Sequence, residues 1–344
     1  MRSTRSKNIL LDGKRSLNRQ RRTGDSVASR LRARAKLLRQ IRSHFDGLGF
    51  CEVQPSCLAD ECIVDPYIDP VEVSTAVLGG PTSAGESKRD SCRYLQTSPE
   101  WWMKLQLARG APSLYGIGPV FRAGEHGSHH RVEFTMLEWY EMTATMSDGM
   151  ATLGTFAVQI LGGSSFDAIS YRQLFLDHLD LDPIELPTQQ LVTRVEREDP
   201  ALAQSLAQDR DGLLDVLLSR LIQPNLGQER PLVVFGYPLS QAALARPLDD
   251  DPNCAARFEL FVRGVELGNG YDELTDADEL QRRHETANAK RVASGRSPLP
   301  EPTRLIQAMK SGLPACAGVA VGVDRLLMVR QQANDLSDVL TEWS

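Results

Sequence analysis

The stretch FRAGEHGSHHRVEFTMLEWYE, residues 121–141, places an arginine at the end of an apolar run, then a polar loop with three histidines, then carboxylates among apolar and aromatic residues. Side chains of a strand alternate between its two faces. Over 132–141 this puts Phe134, Met136 and Glu138 on one face and Glu133, Thr135, Leu137 and Trp139 on the other. The preceding SLYGIGPVFR (113–122) reads as the partner strand, so the spacing predicts an antiparallel hairpin with carboxylates on both faces. Arg122, at a strand end, is a rigid fork suited to phosphate and carboxylate, or else a surface arginine in an ion pair. His126, His129 and His130 sit in a Gly/Ser loop without a rigid scaffold or a fourth ligand, which favours an anion-facing loop over a zinc site.

Upstream, Leu31, Ala35, Leu38, Ile41 and Phe45 recur at steps of three and four, predicting a helix from about Ser26 that Gly47 and Gly49 end. GFCEVQPS (49–56) follows as a short strand stopped by Pro55. Residues 74–92 hold few apolar anchors and read as a loop, and a helix begins near Ser98-Pro99-Glu100. Downstream, 145–230 read as a mainly helical insertion. Strands return in PLVVFGYP (231–238), ARFELFVRGVELGNGY (256–271) and ACAGVAVGV (315–323), with a charged helix around 276–294. Residues 336–344 are expected as a terminal tail.

Bulk properties narrow the function classes. The chain has 344 residues and a formal charge of −6, but residues 1–43 hold 14 Lys and Arg against 2 acids, leaving 25 against 43 in the remainder. A basic arm over 1–25 therefore precedes an acidic domain. Six cysteines without metal-ligand spacing read as reduced thiols. No apolar run is long enough to span a membrane, and the start lacks the apolar core of a secretory signal. The expectation is a cytoplasmic protein with no membrane partner.

Two further clusters carry chemistry. In GVAVGVDRLL (318–327), small residues precede an acid–arginine pair and a helix, so another group can approach the backbone beside Arg325. In FELFVRGVELGNGYDELTD (258–276), Glu259 and Glu266 lie seven apart across one strand or bulge, with Asn269, Tyr271 and Glu273 alternating after them. Such oxygens suit Mg²⁺, which binds through one or two carboxylates plus phosphates; the alternative is a row of solvated acids. GPTSAGESK (80–88) has the glycines of a phosphate loop and Ser87 at its Ser/Thr place, but Glu86 stands where Lys is required. There is also no GxGxxG between a strand and a helix. A bound nucleotide must be held by side chains.

These clusters, in this order, resemble the three signature motifs of class II aminoacyl-tRNA synthetases, most closely the lysyl branch. The first helix with GFCEVQPS is similar to motif one, FRAGE…HRVEFTMLEWY to motif two and GVAVGVDR to motif three; TSPE (97–100) and ELGNGYDELTDA (266–277) resemble the lysine-pocket segments. The likeness runs over about 28–335. Only a short basic arm precedes motif one, where lysyl-tRNA synthetases carry an anticodon-binding domain. With YPLSQAALA (237–245), this resembles the elongation factor P lysine ligases, which attach (R)-β-lysine to a lysine side chain of elongation factor P.

The resemblance implies an α+β catalytic core over 26–335, a mixed and mainly antiparallel sheet flanked by helices, acting as a homodimer with ATP and Mg²⁺. It implies that Arg122 contacts the α-phosphate and the substrate carboxylate. Phe134 and Arg325 would sandwich the adenine, Arg325 reaching the γ-phosphate as well, and Glu259 and Glu266 would hold the metal. Ser98, Glu100, Glu138, Tyr140, Asn269, Tyr271, Glu273 and Ala320 would line the pocket for β-lysine or lysine. Ala320 stands where lysyl enzymes usually have glycine. The loop departs from the usual Arg-Asn-Glu and His-Asn-Pro-Glu, reading Arg122-Ala123-Gly124-Glu125 and His130-Arg131-Val132-Glu133, with Glu125, His130 and Glu133 on the nucleotide side. Two rival readings are a truncated enzyme acylating tRNA through its basic arm and a silent regulatory paralogue.

Overall fold

A computed structural model describes residues 26–63, 65–77 and 92–341; the basic arm and residues 78–91 of the loop expected over 74–92 lie outside them. Helix α1 (Val27–Gly47) begins where the Ser26 side chain accepts the Ser29 amide. It ends before Gly49, whose φ of 78° glycine tolerates without a Cβ clash. Its inward stripe differs from the expected one. Leu37, Ile41 and Phe45 are fully buried, but Leu31 is 52% exposed. Over the first turns the inward positions are Arg30, bonded to the carbonyls of Ser337 and Leu340, and Arg34, paired with Asp324. Two arginines with fixed partners continue the stripe that leucine was expected to fill.

The short strand β1 (Cys51–Val53) runs parallel to β5 (Leu114–Phe121). Between them lie a small sheet of β2 (Leu58–Ala59), β3 (Val71–Ser74) and β4 (Cys92–Leu95), and helix α2 (Glu100–Leu107). β5 pairs antiparallel with β6 (Glu133–Met142), Leu114 opposite Tyr140 and Phe121 opposite Glu133, as the opening stretch predicted. Residues 145–230 hold α3 (Met146–Leu161), β7 (Asp167–Ser170), α4 (Tyr171–Leu179), α5 (Thr188–Glu196), α6 (Pro200–Ser205) and α7 (Arg210–Leu217). The segment is mainly helical, yet β7 pairs with β8 (Leu232–Pro238) at the sheet edge, and Phe156 and Ala157 of α3 join the central core. α4–α7 and the turns after them gather round a second core that they share with Val234, Tyr237 and Phe261 of the sheet, with Tyr171, Leu191 and Leu213 fully buried.

The stretch expected as one strand or bulge is two strands, β9 (Cys254–Val262) and β10 (Val265–Asp272). The chain reverses at Arg263-Gly264, where φ is 52° and 75°, a two-residue hairpin with positive φ at both positions. Arginine is a poor signal for such a turn, which hid it in the sequence. A register shift between Glu266 and Gly268 supplies the bulge. After α8 (Ala277–Ala293) comes α9 (Thr303–Gly312), which the sequence reading did not anticipate, then β11 (Cys316–Gly322) and α10 (Val323–Arg330).

The eight-stranded sheet has the order β1-β5-β6-β11-β10-β9-β8-β7. Its β1–β5 and β7–β8 edges are parallel and its other pairs antiparallel. Leu137 and Trp139 of β6 point to one face, packed with α1, α3 and α10; Tyr140 points to the other, packed with α2 and α9. Within the segment expected as a terminal tail, Leu336, Val339 and Leu340 are buried in the central core.

Candidate active site

Sheet register builds the site. Glu138 of β6 pairs with Ala320 of β11, Ala320 with Asn269 of β10, and Asn269 with Glu259 of β9. Paired residues share a face, so these four form one row across the sheet. The adjacent row is Tyr140, Gly318, Tyr271 and Arg257. Both rows line a cavity of about 810 Å³ that also takes in Ser98 and Glu100 before and on α2, Arg122, Glu125 and His130 from the hairpin, and Glu266, Glu273 and Arg325.

One end of the cavity is acidic. Glu100, Glu138 and Glu273 are all buried. Glu138 accepts hydroxyls on both oxygens, from Ser98 at 2.6 Å and from Tyr140 at 2.8 Å. Lys104, also buried, reaches Glu100 Oε1 and Glu273 Oε2, each at 2.5 Å. Burial opposes the ammonium of Lys104, but the two carboxylates outweigh it and hold its pKa above the ordinary lysine value. Burial, reinforced by the charge of Glu100, lifts Glu138 to about 7. Burial lifts Glu273 to about 8 against the pull of Lys104. Carboxylates in excess of cations in a buried space rise in this way. Asn269 Oδ1 is buried without a hydrogen-bond partner, an acceptor free for an N–H donor.

The other end is basic. The Arg122 guanidinium lies 5.2 Å from the centroid of the Phe134 ring, donates to Thr97 O at 3.2 Å and stands 3.7 Å from Glu125. Arg325 donates to His129 O at 3.1 Å and Glu266 O at 3.2 Å, and meets His130 Nε2 at 2.7 Å. Burial, then the charge of Arg325, lowers the His130 pKa and so favours the neutral ring, whose nitrogen can accept from Arg325. Asp324 braces the start of α10: it pairs with Arg34 and accepts the Thr135 amide at 2.8 Å. Both arginines therefore abut the histidine loop.

On β9, at the far end of the row from Glu138, Glu259 accepts from Tyr237 Oη at 2.6 Å and pairs with Arg257 at 2.5 Å. Burial raises its carboxyl, Arg257 opposes, and Glu266 adds repulsion. Two carboxylates that repel fit an ion taking one or two acids and completing its shell from phosphate and water. Among the described residues no group of three or more His, Cys, Asp or Glu is arranged to hold a metal, the histidine loop included.

The sequence matches the family described as tRNA synthetases class II (D, K and N) over residues 14–341. A relative from Pectobacterium atrosepticum, named elongation factor P–(R)-β-lysine ligase, is 38% identical over 315 residues, covering 92% of this chain and 94% of its own. Proteins of the same name from Salmonella gallinarum and Sodalis glossinidius are 38% and 39% identical over 307 residues, covering 89% of this chain and 92% of theirs. The chain belongs to the elongation factor P–(R)-β-lysine ligase family of class II synthetase-like proteins.

Of the site residues expected for this family, one is placed elsewhere. Glu133 lies on the opposite face of β6 from Phe134 and is exposed outside the cavity, because the pleat sends neighbours to opposite sides. Lys104, Arg257 and Tyr237 were missed. An i, i+4 Glu–Lys pair signalled the first, but such a pair ordinarily marks a solvated helix face. No helix among the described residues is long and apolar enough to cross a membrane, and the cysteines there are free.

Proposed function

We propose that this protein uses ATP to activate (R)-β-lysine, or lysine, as its adenylate and passes the acyl group to a lysine side chain of elongation factor P. One observation carries the reading: a buried acidic pocket and a pair of arginines share one cavity, with Asn269 and Glu259 on the row that starts at Glu138. An amino acid with two ammonium groups can leave water only where carboxylates replace its hydration, and Glu100, Glu138 and Glu273 provide that. The names of the relatives support both the amino acid and the acceptor protein.

The substrate carboxylate attacks the α-phosphorus, the bond to the β-phosphate oxygen breaks and diphosphate leaves. The acceptor amine then attacks the acyl carbon and AMP leaves. No protein nucleophile is required. Arg122 aligns the two reacting anions, Arg325 offsets charge on the leaving side, and the Phe134 ring and the Arg325 plane hold the base, so rate comes from alignment and fixed charge. Magnesium held by Glu259 and Glu266 would screen the triphosphate. The Ala320 methyl, between Glu138 and Asn269 in the row, narrows the pocket where lysyl enzymes have glycine, which favours a chain whose amine sits on the β carbon. The assembly in this reading is a homodimer.

The test is ATP–diphosphate exchange. Exchange dependent on β-lysine, weaker with lysine and absent with norleucine, is expected; well-folded protein that exchanges with neither amine contradicts activation.

A further inference from the structure

Lys104 is the buried charge that the reaction above does not use. Its side chain is 2% exposed, its ammonium joins Glu100 to Glu273, and it lies 6.0 Å from the centroid of the Tyr140 ring. The helix does not require it. α2 already packs through Trp101, Met103, Leu105 and Leu107, and replacing a buried ion pair by apolar groups is often neutral or stabilising. A lysine here must therefore serve the carboxylates.

Its placement divides their oxygens. Lys104 takes Oε1 of Glu100 and Oε2 of Glu273. Glu273 Oε1 faces Gly318, where a methyl would overlap it, and Asn269 Oδ1 is unpartnered nearby on the adjoining row. Once a dicationic guest draws all three carboxylates into their ionised form, they exceed the one ammonium by two negative charges. Two is also the number of ammonium groups on a diamino acid.

We propose that Lys104 is a specificity-determining positioning residue, which fixes Glu100 and Glu273 and sets the pocket's charge so that a guest with two ammonium groups neutralises it. The inference rests on the functional reading above. Without Lys104 the acids repel, one takes up a proton or swings away, and the remaining oxygens lose their fixed spacing. Because a guest's ammonium contacts are the same before and during reaction, the loss appears in KM rather than kcat.

The experiment is a double-mutant cycle in amino-acid-dependent ATP–diphosphate exchange, using Lys104→Met, which keeps the length of the stem, Glu100→Gln, and both together. Lys104→Met is expected to raise KM for the diamino acid by at least roughly ten-fold, with kcat changed by less than about three-fold. Adding Glu100→Gln restores the excess of two charges, so the double variant has a lower KM than either single one. An unchanged KM in Lys104→Met, or a double variant whose KM is the product of the single effects, overturns the proposal. Should Lys104→Met not fold, the double variant against Glu100→Gln decides alone: an equal or higher KM in the double overturns it. A wild-type protein silent with every diamino acid overturns the functional reading and this inference with it; normal wild-type exchange beside a Lys104→Met of unchanged KM overturns this inference only.

Discussion

Gly318 shows how narrowly the acid cluster is built. A methyl there would overlap Glu273 Oε1 and the Tyr140 ring, so Gly318→Ala is expected to lose about 1–3 kcal/mol by overpacking and, by displacing Glu273, to raise the amino-acid KM at least roughly ten-fold. Denaturant melts and exchange kinetics read the two effects separately. The same cluster makes binding pH-dependent. The pKa values of Glu138 and Glu273 are raised to about 7 and about 8, above the usual carboxylate range, so the folded protein holds protons there that the unfolded chain has released. Stability from these two groups therefore falls as pH rises from about 5 to about 8. A diamino acid prefers the ionised carboxylates, and its thermal stabilisation should grow between about pH 6 and about pH 8. A flat or opposite trend contradicts the assignment of the acids to the ammonium groups.

At the scale of elements, α1 positions α10. Arg34 is the cation on Asp324, which also holds the Thr135 amide of β6 and adjoins Arg325. Arg34→Met leaves Asp324 buried without its cation; because Arg34 is partly exposed, a cost of about 2 kcal/mol is expected rather than the full value for a buried pair. Chemical denaturation measures it. Exchange kinetics should show a lower kcat, since α10 carries Arg325; unchanged stability and kcat would remove α1 from the account of the site. The hairpin of β5 and β6 was legible because period-two alternation survives on both faces. The β9–β10 hairpin was not, because Arg263 stands where Asn, Asp or Gly usually opens such a turn and apolar residues flank it on both sides. The sequence reading also missed α9: Leu305, Ile306 and Met309 are buried at helical spacing, but the element is short and Pro302 and Pro314 close around it. Lys104 escaped notice because its charge implies solvent, whereas Glu273, which follows β10, meets it only after folding. Glu133 was misassigned for the opposite reason: motif likeness placed it on the nucleotide side, and strand parity puts it outside.

Across the whole molecule, the fold brings residues more than two hundred positions apart into one cavity, with arginines at one end and carboxylates at the other. The homodimer in the functional reading predicts that the protein sediments as a dimer. Val27 and Leu31 are 64% and 52% exposed on α1, and replacing both with Glu should yield a monomer if that helix faces the partner; a monomeric wild-type protein contradicts the assembly. The central claim is the transfer of a diamino acid to a protein lysine through the cavity of Arg122 and Arg325. It is tested most directly by incubating the protein with ATP, labelled (R)-β-lysine and a mixture of elongation factor P and tRNA, then locating the label. Stable label on elongation factor P is expected, dependent on ATP and lost in Arg325→Ala. Label on tRNA, or none on either acceptor, would contradict the claim.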